Sequence, residues 1–213
     1  LSFLNGGVAA GNLAIADDES FGRAPFLQAR SLKVTVELWP LIASRRLNVT
    51  GLTIERPQVV LLQAPDGRWN YSSLGGGSEP AASPPQAPSG QDSLALSARL
   101  VRIVDGRFSL GSTGGRQKPL TLESVNLEVR DFAPSAAFPF SFAAKVAGGG
   151  EIKLDGKAGP VDRENIFLTP FSVSLDIARL NLAAALAGTA PGIGGIAAVK
   201  AAANSGGGRL ELE

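Results

Sequence analysis

Apolar and polar residues alternate along several segments of the chain, and this alternation predicts β-strands. In SLKVTVEL, residues 31–38, Lys33, Thr35 and Glu37 separate apolar positions, and residues 138–146 and 167–182 show the same period. Successive side chains of a strand point to opposite faces, so one face of these strands is predicted to be apolar. The candidate residues of this face are Leu32, Val34, Val36, Leu38, Phe138, Phe140, Phe142, Phe171, Val173, Leu175 and Ile177.

Two Asp-Gly pairs add turn signals to this pattern. Pro65-Asp66-Gly67 predicts a hairpin between residues 58–63 and 67–74, and Asp105-Gly106 predicts a second hairpin within residues 94–111. The corners Gly67-Arg68-Trp69 and Gly106-Arg107-Phe108 repeat one motif. The predicted fold class is mainly β with a few short helices, built on a long, curved antiparallel sheet with one apolar face, similar to a repeating β-groove. Further strands are predicted at 47–55, 120–132, 150–159 and 209–213.

Three segments favour short helices instead. Pro40 suits the first turn of a helix over about 40–45. The Ala-rich residues 180–188 predict a helix that ends at Gly188, and residues 192–204 predict another between glycines.

One segment divides the chain. Residues 75–92, GGGSEPAASPPQAPSGQD, contain no large apolar side chain. Such a composition predicts a flexible linker. We therefore expect an N-terminal β unit at 1–74, the linker at 75–92, and a second β unit at 93–213 with short helices near 180–204.

Composition excludes several classes of function. The 213 residues are 44% hydrophobic and carry a formal net charge of +1, so we expect a packed protein that does not bind nucleic acid. The absence of Cys and His removes the usual ligands of zinc, haem and iron–sulfur sites, and with them the common catalytic triads. No catalytic, cofactor-binding or metal-binding residue is predicted, and we expect that the protein is not an enzyme. A carbohydrate-active enzyme is a minor alternative that would need a cleft with two carboxylates about 5–9.5 Å apart.

The chain begins at Leu1 and contains no Met, so we expect a piece of a longer protein. No run of 18 apolar residues predicts a membrane span within it.

A few clusters have two interpretations each. Asp17-Asp18-Glu19 is a candidate cation site, but a loop is the simpler interpretation. Trp39 and Trp69 suit a lipid interface, but packing at hairpin ends is the commoner role. Asn70 and Tyr71 are expected to satisfy turn backbone groups. Arg45-Arg46 could meet anionic head groups, against a default of a solvated helix end.

Residues 12–74 resemble the N-terminal region of the AsmA family. Three elements carry the resemblance: the D-x-x-FG-x-x-PFL-x-A run from Asp18 to Ala29, the PLI at 40–42, and I-x-R-P-x-V-x-L followed by DGRWN at 66–70. The second half is similar more loosely, through VRIVDGRFSLG, the segment Leu154–Pro160 and PFSVSLDIARLNL.

The resemblance implies an inner-membrane-anchored periplasmic protein related to bridge-like lipid transfer proteins. The anchor would lie outside this chain. It implies phospholipid or another membrane lipid as partner, and a part in lipid transport and outer-membrane assembly, the apolar face being the lipid-facing groove. In the alternative interpretation that face is an ordinary core, covered by the short helices or by a second sheet. A second functional hypothesis is a structural or assembly module that docks envelope proteins through its sheet edges.

Overall fold

The computed structural model describes residues 5–18, 20–22, 24–37, 48–71, 97–114, 119–162, 168–185, 192–206 and 209–212. Almost all of the regular structure in these residues is β-strand, and the strands form one large curved sheet. The strands are β1 (Asn5–Ala16), β2 (Pro25–Glu37), β3 (Asn48–Glu55), β4 (Gln58–Gln63), β5 (Ala98–Ser112), β6 (Leu120–Phe132), β7 (Phe138–Val146), β8 (Glu151–Ala158), β9 (Phe171–Asn181), β10 (Ile196–Gly206) and β11 (Arg209–Leu212).

The strand order is β1-β2-β3-β5-β6-β7-β8-β9-β10-β11, and β4 pairs with β2 and β5. The predicted mainly-β class with a long curved sheet is confirmed. The sheet is mixed rather than wholly antiparallel, because β3 and β4 both run parallel to β5. The two predicted β units therefore belong to one continuous sheet, joined at this parallel junction.

The second Asp-Gly pair does not form a hairpin, and that prediction is wrong. Asp105 and Gly106 lie inside β5, which continues to Ser112. Asp105 has a φ of 53° and forms part of a bulge between the Ile103–Leu127 and Gly106–Val125 pairs, opposite Asn126 of β6. A left-handed residue followed by glycine can bend a strand as well as reverse it, and here the neighbouring strands hold the chain extended.

The partner of this bulge is the junction between β3 and β4, which act as one bent strand. Arg56 has a φ of 47°, and Pro57 follows it fully buried. The amide of Arg56 donates to the carbonyl of Val104 (2.8 Å), and the amide of Arg107 donates to the carbonyl of Pro57 (2.7 Å). The two predicted corners are not equivalent, because Gly67 lies in a turn and Gly106 lies inside β5. The bend at Asp105-Gly106 instead pairs with the bend at Arg56-Pro57.

The predicted turn at Pro65-Asp66-Gly67 is present. The amide of Gly67 donates to the carbonyl of Ala64 (2.9 Å), and a single antiparallel bridge joins Gln63 to Trp69. Of the predicted second arm, residues 67–71 are a turn and one bridge rather than a strand, and residues 72–74 lie outside the described part.

The helices differ from prediction. In the described part of the Ala-rich segment 180–188, which ends at Ala185, the helix is α1 (Leu182–Ala185). The helix predicted at 192–204 is wrong, since Ile196–Gly206 is strand β10, paired with β9 from Ile196 to Ser205. Alanine has the highest helix propensity of the amino acids, but propensity is a weak determinant, and pairing with a long neighbouring strand overrides it. The helix predicted at 40–45 lies outside the described residues. Among the described residues no helix is long and apolar enough to cross a membrane.

Candidate functional site: two apolar rows across the sheet

The register of the sheet aligns one apolar residue from each of nine strands. Ile54 of β3 lies opposite Leu32 on one side and opposite Ile103 of β5 on the other. Leu154 of β8 likewise lies between Phe142 and Leu175. At about 4.8 Å between strands, eight spacings carry this central apolar row about 38 Å across the sheet. Its members are Ala10, Leu32, Ile54, Ile103, Leu127, Phe142, Leu154, Leu175 and Ala201.

A second apolar row runs beside it, two residues along each strand and so on the same face. It contains Val8, Val34, Leu52, Val101, Val129, Phe140, Gly156, Val173 and Ala203. Neither row includes a polar side chain. We call the side of the sheet that carries both rows the apolar face.

The residues between the two rows point to the opposite face, which is mostly polar. This polar row is Ala9, Lys33, Thr53, Arg102, Glu128, Ser141, Asp155, Ser174 and Ala202. Ion pairs link it across strands: Lys33 Nζ lies 2.6 Å from Glu55 Oε1, and Lys200 Nζ lies 3.7 Å from Asp176 Oδ2. Charged side chains of alternating sign keep this face hydrated.

The strongest ionic cluster of the polar face centres on Glu128. Arg102 donates to Glu128 Oε2 from Nη2 (2.6 Å) and Nε (2.8 Å), and Arg130 Nε donates to Glu128 Oε1 (2.6 Å). These hydrogen bonds, first from Arg102 and then from Arg130, hold the pKa of the Glu128 carboxyl below its ordinary value. The cluster ties β5 to β6 and leaves Glu128 ionised near neutral pH.

No described element forms a second layer on the apolar face. The substantial contacts between described elements join strands that are neighbours in the sheet, or α1 with β9. Most side chains of the two rows are accordingly half-buried, and fully buried apolar side chains such as Val125 and Val146 are few. Among the described residues, neither the predicted helical cover nor a second sheet is found.

The structure brings the predicted candidates together on this face. Leu32, Phe142 and Leu175 belong to the central apolar row, and Val34, Phe140 and Val173 belong to the second row. The other described candidates lie on the same strands at the same parity: Val36, Phe138, Phe171 and Ile177. All ten are half-buried. Leu38 lies outside the described residues. Their lipid-facing role stays a prediction.

Several residues of the apolar face were not among the candidates. Ile54, Ile103, Leu127 and Leu154 are the large apolar members of the central apolar row that were missed, and each lies in a segment that was predicted as strand. Period-two alternation in 120–132 and 150–159 was the signal available for Leu127 and Leu154. No local signal places Ile54 opposite Ile103, because that pairing is parallel and joins distant parts of the chain.

The acidic cluster takes part in loop structure. Asp17 Oδ1 accepts from the amide of Asp18 (2.8 Å), and Asp17 Oδ2 accepts from Nδ2 of Asn70 (2.9 Å). Asp18 Oδ1 accepts from both the amide and the hydroxyl of Ser20. Within the described part of the chain, no group of three or more acidic side chains is placed to hold a metal ion. Glu19 lies outside that part.

Among the described residues, Asn70 is the one polar side chain that is fully buried. Its Oδ1 accepts from the amide of Leu62 (3.0 Å), and its Nδ2 donates to the carbonyl of Val60 (2.8 Å) as well as to Asp17. Asn70 therefore satisfies strand and loop groups as expected. Tyr71 is exposed and stacks on Trp69, with ring centroids 5.8 Å apart. Trp39 and Arg45-Arg46 lie outside the described residues.

Comparisons with known proteins return no match: no protein-family model, no curated protein and no solved structure is similar enough to this chain to assign it.

Proposed function

We propose that this chain is a non-enzymatic lipid-handling module whose apolar face holds the hydrocarbon chains of phospholipid or another membrane lipid. The observation that carries the proposal is the central apolar row, which continues across nine strands with no described element packed on it. A hydrocarbon chain lying on it would remove apolar surface from water on both partners, at about 0.8 kcal/mol for each buried CH₂.

The arrangement of charge supports the same function. Polar and charged side chains are concentrated on the opposite face, where ion pairs such as Lys33–Glu55 link neighbouring strands. In such a sheet, lipid tails can lie along the continuous apolar face while the polar face contacts water. The protein can therefore bind lipid in an aqueous compartment.

The resemblance of residues 12–74 to the AsmA family supports a periplasmic setting for this module, attached to the inner membrane by a segment outside this chain. In that setting the module would take part in phospholipid transport and outer-membrane assembly. No cofactor is needed for this role.

The test is mass spectrometry of organic extracts of the purified protein beside a mock purification. We expect lipid at a fixed ratio to protein. Leu175→Asp places a carboxylate in the central apolar row and should reduce that ratio at least fivefold. Ser174→Asp, the neighbouring residue on the polar face, is the matched control and should leave it unchanged. Equal lipid content in both variants, or lipid no higher than in the mock extract, would contradict the proposal.

A second candidate function is an assembly module that docks envelope proteins by adding strands. The observation in its favour is β1, a 12-residue strand at the edge of the sheet. Among the described strands it pairs only with β2, and its Val8 is 72% exposed. A long edge with free backbone groups can accept a further strand. Photocrosslinkers at Val8 that capture a specific envelope protein but no lipid would favour this function, and Val8→Pro should abolish the capture.

A further inference from the structure

A concavity on the apolar face lies towards one end of the strands. A cavity of about 310 Å³ is bounded by Leu61, Phe108, Leu110, Leu120, Leu122 and Val125. At its inner end it reaches Ile103, Leu127 and Phe142, which are members of the central apolar row. The cavity is therefore continuous with the apolar face and runs along β5 and β6 rather than across them.

The outer end of the cavity is an apolar mouth. Leu110 and Leu120 are paired across β5 and β6, and they are 40% and 38% exposed. The next pair inward, Phe108 and Leu122, is half-buried. Exposure thus falls from the strand ends towards the interior of the face, as expected of an entrance.

Among the described residues that line it, the wall of the cavity is almost wholly apolar. Ser109 is the only polar residue there, and its hydroxyl lies 3.3 Å from the hydroxyl of Thr121, within hydrogen-bonding distance. A polypeptide segment in this cavity would bury peptide N–H and C=O groups against a wall that offers them few partners, which is unfavourable. A hydrocarbon chain has no such groups to satisfy.

The 75–92 segment of this chain is also a poor occupant on composition. It is made of Gly, Ser, Pro, Ala, Glu, Gln and Asp, so it has no large apolar side chain with which to fill the cavity. The wall chemistry and this composition together favour a ligand from outside the chain.

We propose, building on the lipid-handling function above, that a single lipid hydrocarbon chain enters the apolar face between Leu110 and Leu120. It lies along β5 and β6 with its methyl end towards Ile103, Leu127 and Phe142, and its polar head stays at the mouth. Leu110 lies seven residues beyond Ile103 on β5, which corresponds to at most about 24 Å at about 3.4 Å per residue, and the bulge at Asp105-Gly106 shortens it. The apolar rows alone determine neither where the hydrocarbon chain enters nor which way it points.

The test uses two photoreactive fatty acids on the full chain, one with a diazirine near the methyl end and one with a diazirine near the carboxyl group. Peptide mass spectrometry then locates the crosslinks. The methyl-end probe should label residues around Ile103, Leu127 and Phe142. The carboxyl-end probe should label residues around Leu110 and Leu120.

Substitutions at the mouth of the cavity provide a second test of the entrance. Leu120→Asp should lower labelling by both probes at least tenfold, and Leu120→Trp should do the same by filling the entrance without adding charge. Leu168→Asp is the matched control, because Leu168 is 49% exposed but lies away from the cavity. Circular dichroism and thermal unfolding of each variant report on folding.

The outcomes separate the two proposals. Crosslinks elsewhere on the apolar face, such as near Val34 or Val173, with no effect of the Leu120 variants, would overturn the entrance and leave the lipid-handling function standing. Reversed positions of the two probes would overturn the orientation. Absence of labelling anywhere on the apolar face would overturn both proposals.

Discussion

Ile54 of β3 lies directly opposite Ile103 of β5, in the parallel pairing that joins the two halves of the sheet. The two residues are 49 positions apart in the chain, and both belong to the central apolar row. Without this contact the row would break into two shorter pieces at the junction. The energetic coupling of Ile54 and Ile103 is therefore the first property to measure.

We expect Ile54→Ala and Ile103→Ala to destabilise the protein by less in combination than the sum of the single changes. Side chains in contact share part of their burial, so the coupling in a double-mutant cycle should be at least about 0.5 kcal/mol. Chemical denaturation of the four proteins measures it. Ile54→Ala with Leu175→Ala is the control pair on the same face, and it should be additive within about 0.5 kcal/mol. A coupling of zero for Ile54 and Ile103 would contradict the junction.

Asn70 is expected to be the most sensitive polar residue of the turn that follows β4. Asn70→Ala removes the partners of the Leu62 amide, the Val60 carbonyl and Asp17 in a buried position. The loss should lower the free energy of unfolding by about 2–4 kcal/mol. Urea unfolding gives the value, with the exposed Asn204→Ala on β10 as a control expected to change stability by less than about 0.5 kcal/mol. Equal effects of the two changes would argue against the turn as described.

Gly156 is the one glycine of the second apolar row, and we expect it to tolerate no side chain. A Cβ at Gly156 would overlap the carbonyl oxygen of Ser172 and approach Cα of Val173 at 2.9 Å, and both are backbone atoms of β9. Gly156→Ala should therefore cost about 1–3 kcal/mol by forcing β8 and β9 apart. Thermal unfolding tests this against Gly206→Ala, where a Cβ would meet nothing within 4 Å. A Gly156 variant as stable as the Gly206 variant would refute the close approach of the two strands.

Glu128 should make stability depend on pH in the acid range. Its pKa is lowered in the folded protein by the hydrogen bonds from Arg102 and Arg130, so the folded state favours the ionised form. The stabilisation is present above the ordinary carboxyl pKa of about 4.3 and is lost as pH falls through the lower folded value. The melting temperature of Glu128→Gln should therefore lie below that of the parent protein at pH 7, and the gap should narrow below about pH 4. Glu211→Gln on β11 is the control, and a gap that is constant with pH would contradict the prediction.

Much of the sheet could be predicted because strand periodicity is a local signal. The segments 58–63, 120–132 and 138–146 coincide with β4, β6 and β7. β1 was not predicted, because its Gly- and Ala-rich sequence carries little alternation. β10 was predicted as helix because alanine has a high helix propensity, which pairing with β9 overrides.

The errors at the centre of the sheet have a different cause. Asp105-Gly106 is a turn signal taken alone, and it becomes a bend within β5 because the parallel pairing sets it beside the bend at Arg56-Pro57. For the candidate site, it could be predicted which residues of each strand point to the apolar face. The alignment of nine strands into one row could not, because register across the junction is set by residues far apart in sequence.

The parallel junction also bears on how the chain is made. Residues 64–97, a stretch of 34 residues, separate the end of β4 from the start of β5. At about 5–20 residues per second, synthesis of that stretch takes roughly 2–7 seconds. Throughout that interval a nascent chain carries β3 and β4 with one edge unsatisfied. Mispairing of β3 and β4 with another chain is therefore expected mainly in the interval before β5 is synthesised. A factor that binds and shields these strands would act during that interval.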